Sequence, residues 1–179
     1  HMAAIKTDGS LWTWGKNSFG QLGIGLNEQL IHHTPSKIMG DVAAVSCGGE
    51  FTAAIKTDGS LWMWGNNNYG QLGNGTLTPA YTPVKVMDDV AVITCGVSTA
   101  AAIKTDGSLW TWGINNSGQL GNGGVSNATG DWDFPCQTVP VKIMDDVASV
   151  SCGGRISAAI KKDGSLWMWG ISEDGLFGD

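Results

Sequence analysis

Residues 3–15 read AAIKTDGSLWTWG, and the same thirteen positions return as AAIKTDGSLWMWG at 53–65, AAIKTDGSLWTWG at 101–113 and AAIKKDGSLWMWG at 158–170. The copies begin at Ala3, Ala53, Ala101 and Ala158, so the spacings are 50, 48 and 57 residues. Periods of this size belong to a supersecondary unit that cannot bury its own hydrophobic face and must stack on its neighbours. Repeat units accordingly run over approximately 3–52, 53–100, 101–157 and 158–179, the last one incomplete, within a single segment.

Working outward, each unit carries a second set of markers. GQLG begins at Gly20, Gly70 and Gly118, followed by PSKIM, PVKVM and PVKIM and then by AVSCGG, VITCGV and SVSCGG. Four short apolar runs per unit are separated by turn residues. In SLWTWG the residues Trp12 and Trp14 share one face and Leu11 and Thr13 the other, which is the two-residue period of a strand. Asp-Gly between AAIKT and SLW is a hairpin signal, because Gly adopts the positive φ that a tight turn requires. Four strands in about fifty residues predict an all-β fold, a β-propeller of four-stranded antiparallel blades. No ten-residue stretch at helical spacing suggests a helical solenoid instead.

Composition narrows the partners. The chain has 179 residues, ten basic and sixteen acidic, for a formal net charge of -6. Nucleic-acid binding rests on many Lys and Arg neutralising phosphates, so no nucleic-acid partner is expected. No apolar run is long enough to span a bilayer, and no membrane partner is expected. His1-Met2 reads as a cloning remnant, with Met2 a candidate start.

WGKNSFGQLGIG, WGNNNYGQLGNG and WGINNSGQLGNG, together with DG, the aromatic pair and the Pro-Val run, resemble the repeat of the regulator of chromosome condensation family. The resemblance covers nearly the whole chain; the last copy, WGISEDGLFGD, departs from it and lacks the Gln. It implies a propeller that usually closes with seven blades, and the near-identity of the units suggests a bacterial-type or recently amplified array, or a designed one. If each blade is ordered as Cys-Gly strand, Ala-Ile-Lys strand, Trp strand and Pro-Lys strand, the chain holds three, four, four and three strands. That is about three and a half blades, a partial ring that a second copy could complete. The open terminal blades expose unpaired edges and bare faces, so self-association through them is expected. A two-fold axis along the channel demands an even number of blades, so either such a pair makes eight with two incomplete seams, or its symmetry lies elsewhere, or the segment is cut from a longer chain.

Candidate residues divide by how well the repeat explains them. Trp12, Trp14, Trp62, Trp64, Trp110, Trp112, Trp167 and Trp169 are expected to pack blade on blade. Cys47, Cys95 and Cys152 recur just before a Gly on the strand nearest the channel; equivalent positions on adjacent blades should lie roughly 8 Å apart, too far for a disulfide. They read as buried thiols and not as metal ligands. Cys136 stands alone in an insertion and reads as a surface thiol able to pair between chains. The recurring Asp8, Asp58, Asp106 and Asp163, each followed by Gly, are turn chemistry. Asn74, Asn115 and Asn127 head glycosylation-type triplets that an Asn-rich loop produces by chance.

What differs between units is the connection after GQLGxG: LNEQLIHHT, TLTPAYT and GVSNATGDWDFPCQTV. The third is the longest. Its Asp131, Trp132, Asp133 and Phe134 are the leading partner-binding candidates, with Trp132 read either as a binding anchor or as a lid folded on the blade. His32, His33 and Tyr81 in the other two connections are further partner-binding candidates; adjacent His residues on an extended segment point apart and do not chelate one ion.

No catalytic constellation, phosphate loop or zinc helix is present in the sequence, and no cofactor or metal is expected. The first functional reading is therefore a non-catalytic protein-protein interaction scaffold; relatives by resemblance include bacterial propellers that inhibit β-lactamases. The resemblance also implies guanine nucleotide exchange on a small GTPase as an alternative, which in that family uses a wedge on the propeller face that only the insertion at 124–138 could imitate. The basic arm used for chromatin is missing. A structural or designed array with no specific ligand is the third reading.

Overall fold

Four twisted antiparallel sheets follow one another along the chain in a computed structural model that describes residues 1–25, 30–124 and 126–171. The first sheet is β1 (Met2–Ile5), β2 (Leu11–Lys16) and β3 (Ile31–Met39). The second runs in order through β4 (Val42–Cys47), β5 (Phe51–Lys56), β6 (Leu61–Gly65) and β7 (Ala80–Met87). The third holds β8 (Val90–Cys95), β9 (Thr99–Lys104), β10 (Leu109–Ile114) and β12 (Pro135–Met144), with the two-residue β11 (Ala128–Thr129) added at its outer edge. The fourth is β13 (Val147–Cys152), β14 (Ile156–Lys161) and β15 (Leu166–Gly170). The described residues contain no α-helix, only a single 3-10 turn at Asp131–Asp133.

Sheets and sequence repeats are out of phase by one strand. Each Cys strand closes a repeat in sequence but opens the next sheet, so Val42–Cys47 pairs with Phe51–Lys56 and not with the strands before it. The crossing turn is stitched to both blades: Val90 donates its N–H to the Gly59 carbonyl of the previous sheet, and Thr105 donates to Asp89, both at 2.9 Å or less. Asp41, Asp89 and Asp146 hold φ near +60° in these turns, a conformation that Asp tolerates better than most side chains.

Local chemistry explains the remaining elements. Gly9, Gly59, Gly107 and Gly164 all take positive φ in the hairpins that join each Ala-Ile-Lys strand to its Trp strand. The Asp before each accepts from the following Ser: Asp58 Oδ1 from Ser60 N at 2.9 Å and from Ser60 Oγ at 2.6 Å, and Ser60 Oγ accepts in turn from Trp62 Nε1 at 3.0 Å. The same relay recurs at Asp8, Asp106 and Asp163. Pro35, Pro83 and Pro140 fall on β3, β7 and β12, the outer strands, where a missing N–H is harmless.

The core lies between sheets. One cluster joins Phe51, Ala53, Ile55, Leu61 and Met63 of the second sheet to Ala100, Ala102 and Trp112 of the third. Equivalent clusters join the first sheet to the second through Leu11 and Trp64, and the third to the fourth through Leu109 and Ala159.

Candidate functional site

The seams define what is structural, and hence what is left for function. At each seam the second Trp of a blade enters a socket made by GQLG of the blade before. Trp64 Nε1 donates to the Gln21 carbonyl at 3.0 Å, Trp112 to Gln71 at 2.9 Å and Trp169 to Gln119 at 2.9 Å. The glycine that ends the motif makes the room: a Cβ on Gly23, Gly73 or Gly121 would lie 2.7–2.8 Å from the incoming indole nitrogen. Thr52 Oγ1 and Ser157 Oγ donate to the same Gln21 and Gln119 carbonyls. Inside the motif, Asn67 Oδ1 accepts from Leu72 N and Gln71 Oε1 from Tyr69 N, which shapes the loop around the socket.

These loops share one end of the sheets with the connections after β4, β8 and β13, because Phe51 pairs with Gly65 and Gly65 with Ala80. The insertion rises from this loop face and leans back over the second sheet. Asp131 Oδ2 accepts from Asn68 Nδ2 at 2.6 Å, and Asp131 N donates to the Asn68 carbonyl at 3.2 Å. Phe134 stacks on Tyr69 with centroids 6.4 Å apart. Burial, and then the Asp131 carboxylate, push the Tyr69 hydroxyl above its ordinary range. Trp132 at φ 59° and Asp133 at φ 57° both sit in the left-handed region.

Trp132 is thereby held outward. It is 83% exposed, so it is not a lid on the blade edge; Phe134 supplies the intramolecular contact instead. Beside the stack lies a cleft of about 330 Å³ lined by Tyr69, Phe134, Ile114, Asn116, Gln119 and Arg155. Arg155, the one arginine of the chain, is exposed and forms no ion pair among the described residues. Lys16, by contrast, pairs with Glu50 at 2.7 Å on the preceding seam.

The other candidates do not join this cluster. His32 and His33 lie on β3, where His32 opposes Gly15. Tyr81 lies on β7 and covers Gly20 of the first blade, where a Cβ would approach its ring to 2.6 Å. That contact is packing at a seam. Of the connections read from sequence, residues 26–29 and Val125 lie outside the described residues, as do 172–179 of the divergent last copy.

The readings of Cys47 as a buried thiol and of Cys136 as a surface thiol require correction. Cys47 is exposed and Cys95 and Cys152 are half-buried, whereas Cys136 is the one fully buried. Among the described residues the first sheet has no Cys strand of its own to stand beside β4, and Cys47 is left uncovered on that side. Cys136 is enclosed because it pairs with Ile114 on one side and with Ala128 of the added strand on the other. Adjacent inner strands are joined by a hydrogen bond, Cys95 N donating to Ser46 Oγ at 3.1 Å. Crowding round the Cys152 sulfur pushes its thiol up to about 11, and Cys95 is pushed higher still by burial, with Ser46 opposing. Among the described residues no group of three His, Cys, Asp or Glu converges in a metal-binding arrangement.

Three of the eight repeat tryptophans also depart from the seam role. Among the described residues no blade stands against Trp12 and Trp14, and Lys6 Nζ lies 3.9 Å from the Trp12 ring centre. Trp167 is half exposed because its sheet lacks an outer strand among the described residues.

Comparison with known proteins fits this architecture. The regulator of chromosome condensation (RCC1) repeat profile matches residues 8–55, 58–103 and 106–160, and a second profile of the same repeat matches 42–71, 90–119 and 147–176. A bovine (Bos taurus) protein named secretion-regulating guanine nucleotide exchange factor is 41% identical over 54 residues, which are 29% of this chain and 12% of that protein. Human WBSCR16 superposes with a TM-score of 0.80 at 24% identity, covering 94% of this chain and 44% of its own. Prp20p of Saccharomyces cerevisiae superposes with a TM-score of 0.79 at 22% identity, covering 96% of this chain and 43% of its own. The chain thus spans less than half the length of each of these three proteins. With three stacked copies of the repeat occupying most of its residues, the chain belongs to the regulator of chromosome condensation repeat family, as a partial β-propeller.

Proposed function

We propose that the chain is a non-catalytic scaffold that captures a protein partner on its loop face, with the turn Asp131–Phe134 as the principal contact. The observation that carries this reading is Trp132, 83% exposed on a turn braced by Asn68 and by the Phe134–Tyr69 stack. Holding a non-glycine residue at positive φ costs about 1–2 kcal/mol. A turn that only closed a loop would gain nothing from an outward indole; an interface anchor gains its contact area. Asp131 and Asp133 flank the ring, so the pattern suits a Lys or Arg side chain on the partner, received by the ring face and the carboxylates together. Prp20p is described by its binding to Gsp1p and histones, which supports a protein ligand for this architecture.

The test compares proteins captured by the immobilised chain with those captured by Trp132→Ala, both checked for fold by circular dichroism. The partner retained by the wild type is expected to be lost by Trp132→Ala and weakened by salt. Equal capture by both, at every salt concentration, removes the reading.

Guanine nucleotide exchange is the second reading, favoured by the 41% identity to the bovine exchange factor. It predicts that the chain accelerates nucleotide release from a small GTPase and that Trp132→Ala abolishes the acceleration. Self-association through the terminal blades is a separate property of the same scaffold.

A further inference from the structure

The cleft beside the Phe134–Tyr69 stack is walled by residues of three consecutive blades and sits at the seam between the third and the fourth, inside the array. We propose that it receives a carboxylate on an apolar stem, an acidic side chain of the protein partner that Trp132 anchors. This inference rests on the reading of the loop face as a capture surface and names a second contact of that surface.

The residues that meet at this seam differ from those at the first. Lys16 and Ile114 each follow the Trp-Gly of their blade, and Glu50 and Arg155 each stand third after the Cys of the next. Glu50 and Arg155 share a backbone register, their carbonyls accepting from Asn66 N at 2.9 Å and from Ile171 N at 3.1 Å. At the first seam the two side chains form an ion pair at 2.7 Å, and the position closes on itself. At the third, Ile114 supplies apolar surface in place of the cation, and Arg155 supplies a cation in place of the carboxylate. A guanidinium beside an apolar wall selects an anion that brings its own hydrocarbon.

The other polar groups of the cleft are arranged as donors. Gln119, 1% exposed, donates from Nε2 to Asn116 Oδ1 at 3.1 Å, so the acceptor of the Asn116 amide is engaged and its Nδ2 is left to donate. Gln119 is itself fixed: its Oε1 accepts from Ser117 N at 2.8 Å, and its carbonyl accepts from Ser157 and Trp169 of the fourth blade. The donor set is therefore built on the seam. With Arg155 and the Ser98 hydroxyl, the cleft offers three donors, and no carboxylate is among its described lining residues.

Position decides the source of the carboxylate. Phe134 lines the cleft and stands two residues from Trp132, so a chain laid across Trp132 passes the mouth of the cleft. A cavity of about 330 Å³ is at the small end of those that enclose a whole ligand. Arg155, Asn116 and Phe134 are exposed at its edge, which admits one side chain from a polypeptide lying above. The partner's contact segment then carries a cation for Trp132 and a carboxylate for Arg155.

The experiment titrates the full isotope-labelled chain with acetyl-Leu-Glu-Leu-amide, and with acetyl-Leu-Gln-Leu-amide as the uncharged counterpart, followed by nuclear magnetic resonance. The Glu peptide is expected to shift the Arg155 Nε–H and Asn116 Nδ2 signals and to bind about tenfold more tightly than the Gln peptide, by its charge-assisted bonds. Added salt narrows that preference. Arg155→Gln is expected to remove it, and so is Asn116→Asp, which keeps an acceptor for Gln119 but sets a carboxylate where the donor was. Absent binding, or equal binding of the two peptides, overturns the proposal, as does a preference that survives Arg155→Gln in a chain folded by circular dichroism. Benzoate shifting the same signals at about a tenth of the Glu-peptide concentration assigns the cleft to a free carboxylate and overturns the partner as its source. Partner capture is scored alongside. Capture lost by Trp132→Ala but retained in full by Arg155→Gln overturns the cleft and leaves the anchor standing, whereas Arg155-dependent peptide preference with capture that Trp132→Ala does not weaken removes the anchor and leaves the carboxylate site.

Discussion

Gly70 and Gly118 stand in the same register of the repeat, with φ of 71° and 72°, and differ only in what lies above them. A Cβ on Gly70 would meet the Gln137 carbonyl oxygen at 2.8 Å and the Thr138 Cα at 2.9 Å, both backbone atoms of β12 on the next blade. A Cβ on Gly118 would meet nothing within 4 Å, because the fourth sheet has no outer strand among the described residues. Both Ala substitutions place a side chain at positive φ, about 1–2 kcal/mol unfavourable, and both restrict the unfolded chain equally. Gly70→Ala must in addition push the seam apart. Overpacking of this kind costs about 1–3 kcal/mol. The Gly75 N–H bond to the Thr138 carbonyl at 2.8 Å belongs to the same contact, and its loss adds about 1 kcal/mol. Gly118→Ala is therefore expected to destabilise by about 1–2 kcal/mol and Gly70→Ala by about 3–6 kcal/mol. Urea denaturation followed by far-ultraviolet circular dichroism measures both through the midpoint and slope. Losses equal within about 0.5 kcal/mol would refute the assignment of Gly70 to seam packing.

Trp112→Phe keeps an aromatic ring in the seam but removes the donor to the Gln71 carbonyl; a loss of about 1–3 kcal/mol in urea is expected, while Trp14→Phe in the dilute chain changes little. Cys152 titrates near 11 in the folded chain against 9.0 for a free thiol, so the unfolded state releases its proton first as pH rises. Stability is therefore expected to fall between those values, and Cys152→Ala to flatten that fall when the urea midpoint is followed with pH. In acid the sign reverses. The Ser60 hydroxyl and then its N–H hold Asp58 below its ordinary 3.8, so its contribution is present above that value and lost as pH falls through the lowered one. Ser60→Ala should bring the acid-unfolding transition to higher pH; an unchanged transition would mean the turn relay does not couple to folding.

How much of this was legible in the sequence follows from where the relevant forces act. Period-two alternation, the Asp-Gly hairpins and the four copies of the Trp strand are local, and they specify strands, sheet order and the propeller class. The relay from Asp58 through Ser60 to Trp62 spans five residues and is likewise a short-range pattern. The exposure of thiols and tryptophans was not readable. Cys47, Cys95 and Cys152 share a motif yet differ in cover, since burial depends on whether a blade happens to stand beside them. Trp14, Trp64, Trp112 and Trp169 share a register, and three of them find a carbonyl while the first does not among the described residues.

The insertion shows the same division. Sequence located Asp131–Phe134 as the segment the repeat does not account for, but it left Trp132 open between anchor and lid. The hydrogen bond from Asn68, sixty-three residues away, and the stacking of Phe134 on Tyr69 turn one aromatic inward and the other out. By itself the sequence determined the blade, because a strand's alternation and a turn's φ are set by neighbours in the chain. Only the tertiary structure decided which copies of the blade are covered and which aromatic faces solvent, because those depend on contacts between residues a whole repeat apart.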